Sequence, residues 1–316
     1  LQLGARCFLG GQILLAVVVV SEELSAENRG WGLGLLSAVG GLGGAVTVLA
    51  YAFVEHLPYG WRSLFVVGSF GLLCVPWLWR SLQETQRFSD HRGQVDVGSA
   101  DAPHWAPLRD IVRLHGWRLA DLVGVIAPLA VSLEPGSVFV SKHLQDGLGY
   151  SPGEVGLLIA VCGIATPLGN MLAGTISDRF GRRPVTVLVS LLLSVAIAVF
   201  YKGSGAVAVA VGLALIFLSL GGILVLHAAL ATELFPTGYR STAAGLREAI
   251  TTVGASLGLW TLSLLYGATG SYPASITWVL LLTPISPLIV LLIPETARRE
   301  LEEIAPDRQQ AHRRDS

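Results

Sequence analysis

ATELFPTGYRST, residues 231–242, interrupts two long apolar runs with a carboxylate, a proline and an arginine. A fainter copy, VSEELSAENRGW, occupies residues 20–31. Ser21, Glu22 and Arg29 of the copy fall on Thr232, Glu233 and Arg240 at a fixed offset of 211 residues. Without a gap, the same offset carries Gly34 and Gly43 onto Gly245 and Gly254, and Glu84, Thr85 and Arg87 onto Glu295, Thr296 and Arg298. Matches at three separate places in one register are hard to obtain by chance, so the chain reads as two parallel repeats.

The surroundings of these islands set the class. Only 14% of residues are charged and 52% are hydrophobic, whereas about a quarter of a soluble domain is charged. Nine apolar runs are each long enough to cross a bilayer core of roughly 30 Å as helices. They are Leu3 to Val20, Trp31 to Val54, Trp61 to Arg80, Arg118 to Ser141, Glu154 to Ser177, Pro184 to Gly203, Gly205 to Ala231, Thr242 to Gly267 and Pro273 to Pro294. The expected fold is an all-α polytopic membrane protein. Residues 1–82 form the last three helices of a first bundle, 83–117 a linker, 118–296 a second six-helix bundle and 297–316 a tail. The repeat offset then places roughly 90 residues, about three helices of 20–25 residues, ahead of Leu1, for twelve helices in all.

If the runs alternate in direction, Arg29, Arg80 to Arg113, Arg179 to Arg183, Arg240 and the tail lie on one side, and Arg62, Lys142 and Lys202 on the other. The positive-inside rule makes the Arg-rich side and the C-terminus cytoplasmic, in a plasma (inner) membrane. The linker's middle, SDHRGQVDVGSADAP, is polar and bears Gly and Pro, as a flexible connection does. HWAPLRDIVRLHGW after it is either an interfacial helix, with Trp105, Leu108, Ile111 and Val112 toward lipid and Arg109 and Arg113 toward water, or a plain solvated connector. Cys7, Cys74 and Cys162 sit singly in apolar runs, which points to packing rather than disulfide or metal chemistry. SPGEVG, residues 151–156, has the Ser, Pro and Glu spacing of a capped helix start.

Charges inside the apolar runs are expensive and are therefore candidates for function. Glu134 lies about 24 Å up its run from Arg118, directly before Pro135 and Gly136, which are expected to break the helix there. It is a candidate for binding a substrate cation or a proton, or else a carboxylate reaching the outer interface. His227 is a candidate for proton coupling, against a purely structural hydrogen-bonded role. Arg247 and Glu248 are adjacent and not expected to face each other; one is a candidate for the cavity and the other for the gate. Arg6 binds an anionic group or snorkels, and Thr252 is a cavity polar residue or an interhelical hydrogen bonder.

GTISDRFGRRPV, residues 174–185, resembles the signature loop between the second and third helices of a six-helix half in the major facilitator superfamily. ARCFLGG, residues 5–11, TELFPTGYRS and PETARRELEEI are similar to further motifs of its organic-ion transporter, sugar porter and metabolite:proton symporter branches. The resemblance implies a secondary transporter of two six-helix bundles that moves a small organic solute by alternating access, with a co-transported proton as an open option. It also implies a cytoplasmic gate in which Glu233 and Arg240 stand near Asp178 and Arg182, joined by Glu295 and Arg298 and mirrored by Glu22, Arg29 and Glu84. Arg182 and Arg183 hold the signature loop inside, with Arg179 also in place in it, Gly181 permits its tight turn, and Asp178 accepts from an Arg or lies at the N-terminus of the next helix. Gate pairs of this kind are expected to be exposed and worth about 0–1 kcal/mol each. No cofactor, metal or nucleic acid is called for, and a monomer in the lipid bilayer is expected. The competing readings are a polytopic membrane enzyme such as a lipid-linked transferase, for which no carboxylate cluster or nucleophile motif is found, and an inactive truncated transporter.

Overall fold

Periodicity is almost absent from the apolar runs, so each must bury or expose its surface all round, and a membrane is the solvent that permits this. In the computed structural model, residues 2–52, 58–60, 62–81, 106–203 and 205–304 are described. Among them there is no strand. The first two helices are α1 (Gln2–Glu23) and α2 (Arg29–Ala52). Then follow α3 (Arg62–Ser69) and α4 (Val75–Ser81), joined by a 3-10 turn at Phe70–Cys74. A short amphipathic α5 (Ala106–Leu114) leads into α6 (Gly116–Val138). Past it come α7 (Pro152–Gly163), α8 (Ala165–Phe180), α9 (Arg182–Lys202), α10 (Ala206–Glu233) and α11 (Arg240–Thr269). The chain ends in α12 (Tyr272–Val279), α13 (Ile285–Val290) and one turn, α14 (Leu301–Ile304).

Six stretches among the described residues are long and apolar enough to cross a membrane: Gly116–Gly147, Pro152–Phe180, Arg182–Lys202, Ala206–Glu233, Thr237–Thr269 and Tyr272–Val290. They coincide with the six runs expected in residues 118–296. Ahead of them, α1 and α2 run to 22 and 24 residues. The middle of the linker, including Glu84, and residues 305–316 of the tail lie outside the described residues.

Two apolar clusters hold the second half together. One packs Leu129, Leu193, Phe200, Leu213 and Ile216 toward the end opposite the Arg-rich loops. The other packs Ile111, Leu122, Ile126, Phe235 and Ile293 at the Arg-rich end. Ile111 is thus fully buried against the bundle rather than turned to lipid, which corrects the interfacial reading of α5 on that side chain; Leu108 and Val112 remain exposed. Side chains such as Trp117, Val207 and Leu292 stand out from the bundle, as lipid-facing residues do.

The halves meet through glycines. α2 of the first half lies along α8 of the second so closely that a Cβ on Gly34 would sit 2.6 Å from the Asn170 carbonyl oxygen, and one on Gly174 would collide with the Gly30 carbonyl. Small residues are what allow two membrane helices to reach such separations. Val17, Leu33, Val225, Ala228 and Ala229 fill the neighbouring crossing of α1 and α2 with α10.

The expected break at Pro135 does not occur, since α6 runs through Pro128 and Pro135 to Val138. Proline at 135 has no N–H to give the Val131 carbonyl. That carbonyl lies against Gly258 of α11, where any Cβ would collide with it, and the Tyr201 hydroxyl donates to the Gly136 carbonyl at 2.9 Å. Neighbouring helices thus satisfy and shield the backbone around the proline, as they commonly do in membranes.

Candidate functional site

The Arg-rich end is built by helix termini. α10 stops at Glu233 because Pro236 follows, extended at ψ 158°. Phe235 is completely buried and edge-on to His115, which fixes the turn. A single 3-10 turn at Thr237–Tyr239 then starts α11 at Arg240. Between α8 and α9 the connection is Gly181 alone, at φ 105°, a conformation that side-chain-bearing residues rarely adopt. A Cβ there would also lie 2.6 Å from Glu295 Oε2.

Four side chains converge in this frame. Glu233 takes Arg182 Nη2 at 3.0 Å and Arg29 Nη1 at 3.5 Å, with all three side chains at most 1% exposed. The Thr296 hydroxyl donates to its other oxygen at 2.5 Å. Arg182 also holds Asp178 at 2.9 Å and donates to the Ser177 hydroxyl. The two oxygens of Asp178 accept the backbone N–H groups of Gly30 and Trp31, at 2.9 and 2.7 Å. Those amides are orphan donors at the start of α2, so the carboxylate caps a helix of the opposite half. The quartet Arg29, Arg182, Asp178 and Glu233 carries two charges of each sign, which is why it can be buried at all.

A separate pair stands beside it. Arg240 Nη1 lies 3.2 Å from Glu22 Oε1, both buried. Arg240 thus crosses to a carboxylate of the first half while Arg29 crosses to one of the second. The expectation of exposed pairs is overturned, because the glycine crossing brings the helix ends close enough to exclude water. Breaking a buried pair from one side costs about 3–5 kcal/mol, not the fraction of a kcal/mol of a surface pair.

The segment after α13 adds further ties to this charge cluster. Glu295 accepts the Arg182 and Arg183 backbone N–H groups at 2.7 and 3.1 Å, capping α9. Arg298 Nε donates to the Asp178 carbonyl at 2.8 Å, and Arg183 to the Leu291 carbonyl. Arg179 is exposed and points into a cavity beside Asp178. Arg118, read in the sequence only as a boundary charge, donates to the Leu234 and Ile304 carbonyls at 2.8 and 2.9 Å, anchoring both the turn after α10 and the last helix. No pattern in the sequence marked that role, nor that of Tyr201, because both reach backbone carbonyls that any residue supplies. Glu84 lies outside the described residues.

The charges within the spans do not form one site. Glu134 is half-buried, and its carboxylate has no polar partner among the described residues. It sits about 27 Å along α6 from its Arg-rich end, whereas His227 and Arg247 lie only about 9–10 Å in from theirs. His227 is buried within electrostatic reach of Arg247, and its Nε2 has no hydrogen-bond partner among the described residues. Arg247 and Glu248 do pair, at 2.8 Å. Their backbone directions diverge, but the long Arg side chain folds back along the helix surface to reach its neighbour. The Thr252 hydroxyl bonds its own helix at the Glu248 carbonyl. Arg6 is on α1, with its side chain outside the described residues. At the start of α7, Ser151 and Glu154 form the expected reciprocal cap.

The chain is similar in sequence to known membrane transporters. The chain is 27% identical over 204 residues to the proline/betaine transporter of Salmonella typhimurium, covering 61% of this chain and 41% of the relative. It is 25% identical to the glycine betaine/proline/ectoine/pipecolic acid transporter OusA of Dickeya dadantii, over 94% of this chain and 62% of that protein. The niacin transporter NiaP of Acinetobacter baylyi is 24% identical over 94% of this chain and 72% of its own length. The chain thus spans about two fifths of the length of the first of these relatives and about two thirds of the other two. Among solved structures, the proton:xylose symporter XylE bound to 6-bromo-6-deoxy-D-glucose superposes with a TM-score of 0.71 at 17% identity, over 92% of this chain and 70% of that one, a likeness of fold. The family model of the Major Facilitator Superfamily matches residues 120–313, and the chain belongs to that superfamily.

Proposed function

We propose that the chain is the larger part of a secondary transporter that carries a small organic solute across a plasma membrane by alternating access, with its C-terminus in the cytoplasm and a proton as the candidate co-substrate. On this reading nine helices are present, and the 211-residue repeat calls for about three more ahead of them. The quartet Arg29, Arg182, Asp178 and Glu233, with the pair Glu22 and Arg240, is the cytoplasmic gate, closed in this structure. The single observation that supports it best is reciprocal crossing: each half's Arg meets the other half's Glu at positions related by the repeat. Glu134 is the candidate substrate or proton site in the outward half, and His227 with Arg247 a second polar level nearer the gate. Compact zwitterions such as proline and betaine, named for two relatives, are the first substrates to try.

Uptake of radiolabelled proline, glycine betaine, niacin and xylose into proteoliposomes, with and without an inward proton gradient, tests this. Accumulation of at least one solute above protein-free vesicles is expected. Equal signals for all four, from chain extended to twelve helices and properly inserted, would overturn it.

A further inference from the structure

Beside the gate a cavity of about 750 Å³ opens at the seam of the two halves, lined by Leu24, Glu27, Asn28 and Trp31 from the first half and by Thr175, Asp178, Arg179 and Arg298 from the second. Asp178 is already consumed by Arg182 and the start of α2. Other charges there are not. The Arg179 guanidinium and the Glu27 carboxylate have no hydrogen bond or ion pair among the described residues, and Arg298 uses only its Nε, on the Asp178 carbonyl. An exposed Trp31 ring stands in the same wall as Glu27. Two guanidiniums with spare donors match a carboxylate, while a carboxylate beside an aromatic face matches an ammonium or quaternary ammonium group.

We propose that this cavity binds a small zwitterion from the Arg-rich side, its carboxylate on Arg179 and Arg298 and its cationic head between Glu27 and Trp31. An anion alone leaves Glu27 unmatched, and a cation alone leaves two guanidiniums unmatched. Because the lining comes from both halves, the occupant binds only while they are together, and it therefore favours the closed gate. At a concentration one hundred times its dissociation constant it shifts the closed-to-open ratio about 100-fold. Where the chain works as a transporter, as proposed above, a solute accumulating inside would slow the opening of its own gate. The binding itself does not depend on that reading.

The test uses the full chain in lipid nanodiscs, with Cys7, Cys74 and Cys162 replaced by Ala and Asn28→Cys placed in the cavity wall. Alkylation of that cysteine by a membrane-impermeant maleimide is timed with glycine betaine, acetate or tetramethylammonium added. The expected result is at least 5-fold slower labelling with glycine betaine, at least 10-fold higher concentrations needed for the other two, and loss of protection in Arg179→Gln, Glu27→Gln and Trp31→Leu. Protection that persists in those variants, or acetate matching glycine betaine, overturns the proposal. So does the absence of protection by any probe in protein whose thermal melting matches the parent. A Glu134→Gln control separates this site from a transport site: protection unchanged by that substitution places the probe at the cavity even if no solute is ever transported. Protection abolished by Glu134→Gln alone would move the probe to the transport pathway and end the proposal.

Discussion

Arg240 in the second half reaches across to Glu22 in the first at 3.2 Å, and this contact is the repeat image of the one from Arg29 to Glu233 at 3.5 Å. Each half thus lends one arginine to a carboxylate of the other. On the proposed gating, separation of the Arg-rich ends breaks both contacts together, which makes opening a concerted step rather than a gradual loosening.

Removing one partner leaves a buried charge, and removing both does not. Arg240→Gln and Glu22→Gln are each expected to weaken the closed arrangement by about 3–5 kcal/mol, and the double variant by clearly less than the sum. A double-mutant cycle on thermal unfolding in detergent checks this; additive losses would mean that the pair carries no coupling.

Glu233→Gln goes further, because it removes the charge that Arg29 and Arg182 share, as well as weakening the Thr296 contact. The protein is expected to shift to states open at the Arg-rich end, read as faster maleimide labelling of a cysteine introduced at exposed Thr252. Equal labelling in variant and parent contradicts this.

The seam depends on backbone approach as much as on charge. Gly174→Val would drive a branched side chain into the Gly30 carbonyl, and overpacking of this kind typically costs about 1–3 kcal/mol or forces the helices apart. Gly174→Val is expected to abolish uptake while the chain still inserts, and a variant with parental uptake would show that α2 and α8 need not meet during the cycle.

At the gate loop, Gly181→Ala meets both a φ of 105° and the Glu295 carboxylate. A stability loss of about 1–3 kcal/mol is expected from this positive-φ, extended-ψ backbone alone, a region open essentially to glycine only. Comparison with Gly181→Ala in a Glu295→Ala background separates strain from collision, since only the collision is relieved there.

Much of the fold could be read from the sequence because membrane spans are written in composition, and the six runs between Arg118 and Pro294 reappear as six crossing stretches. The members of the buried charge cluster were legible through the repeat and the signature loop. Which carboxylate each arginine meets was not, because register along a chain says which positions are equivalent but not which half each side chain enters. Burial of Arg29, Arg182 and Arg240 was missed for the same reason: it follows from the close crossing at Gly30, Gly34 and Gly174, a property of two helices distant in sequence. The helix through Pro135 was misread because the groups that compensate for it, Gly258 and Tyr201, lie on other helices.

The central claim is that the crossed pairs hold the two halves together at the Arg-rich end. Its most direct test is the distance across the seam between spin labels at Ser25→Cys and Phe180→Cys, two exposed positions on opposite halves, measured by pulsed electron resonance in nanodiscs. A single short distance is expected for the otherwise native protein, with a second, longer population of about equal or greater size in the Glu233→Gln/Arg240→Gln variant. Identical distance distributions in the two proteins would contradict the account.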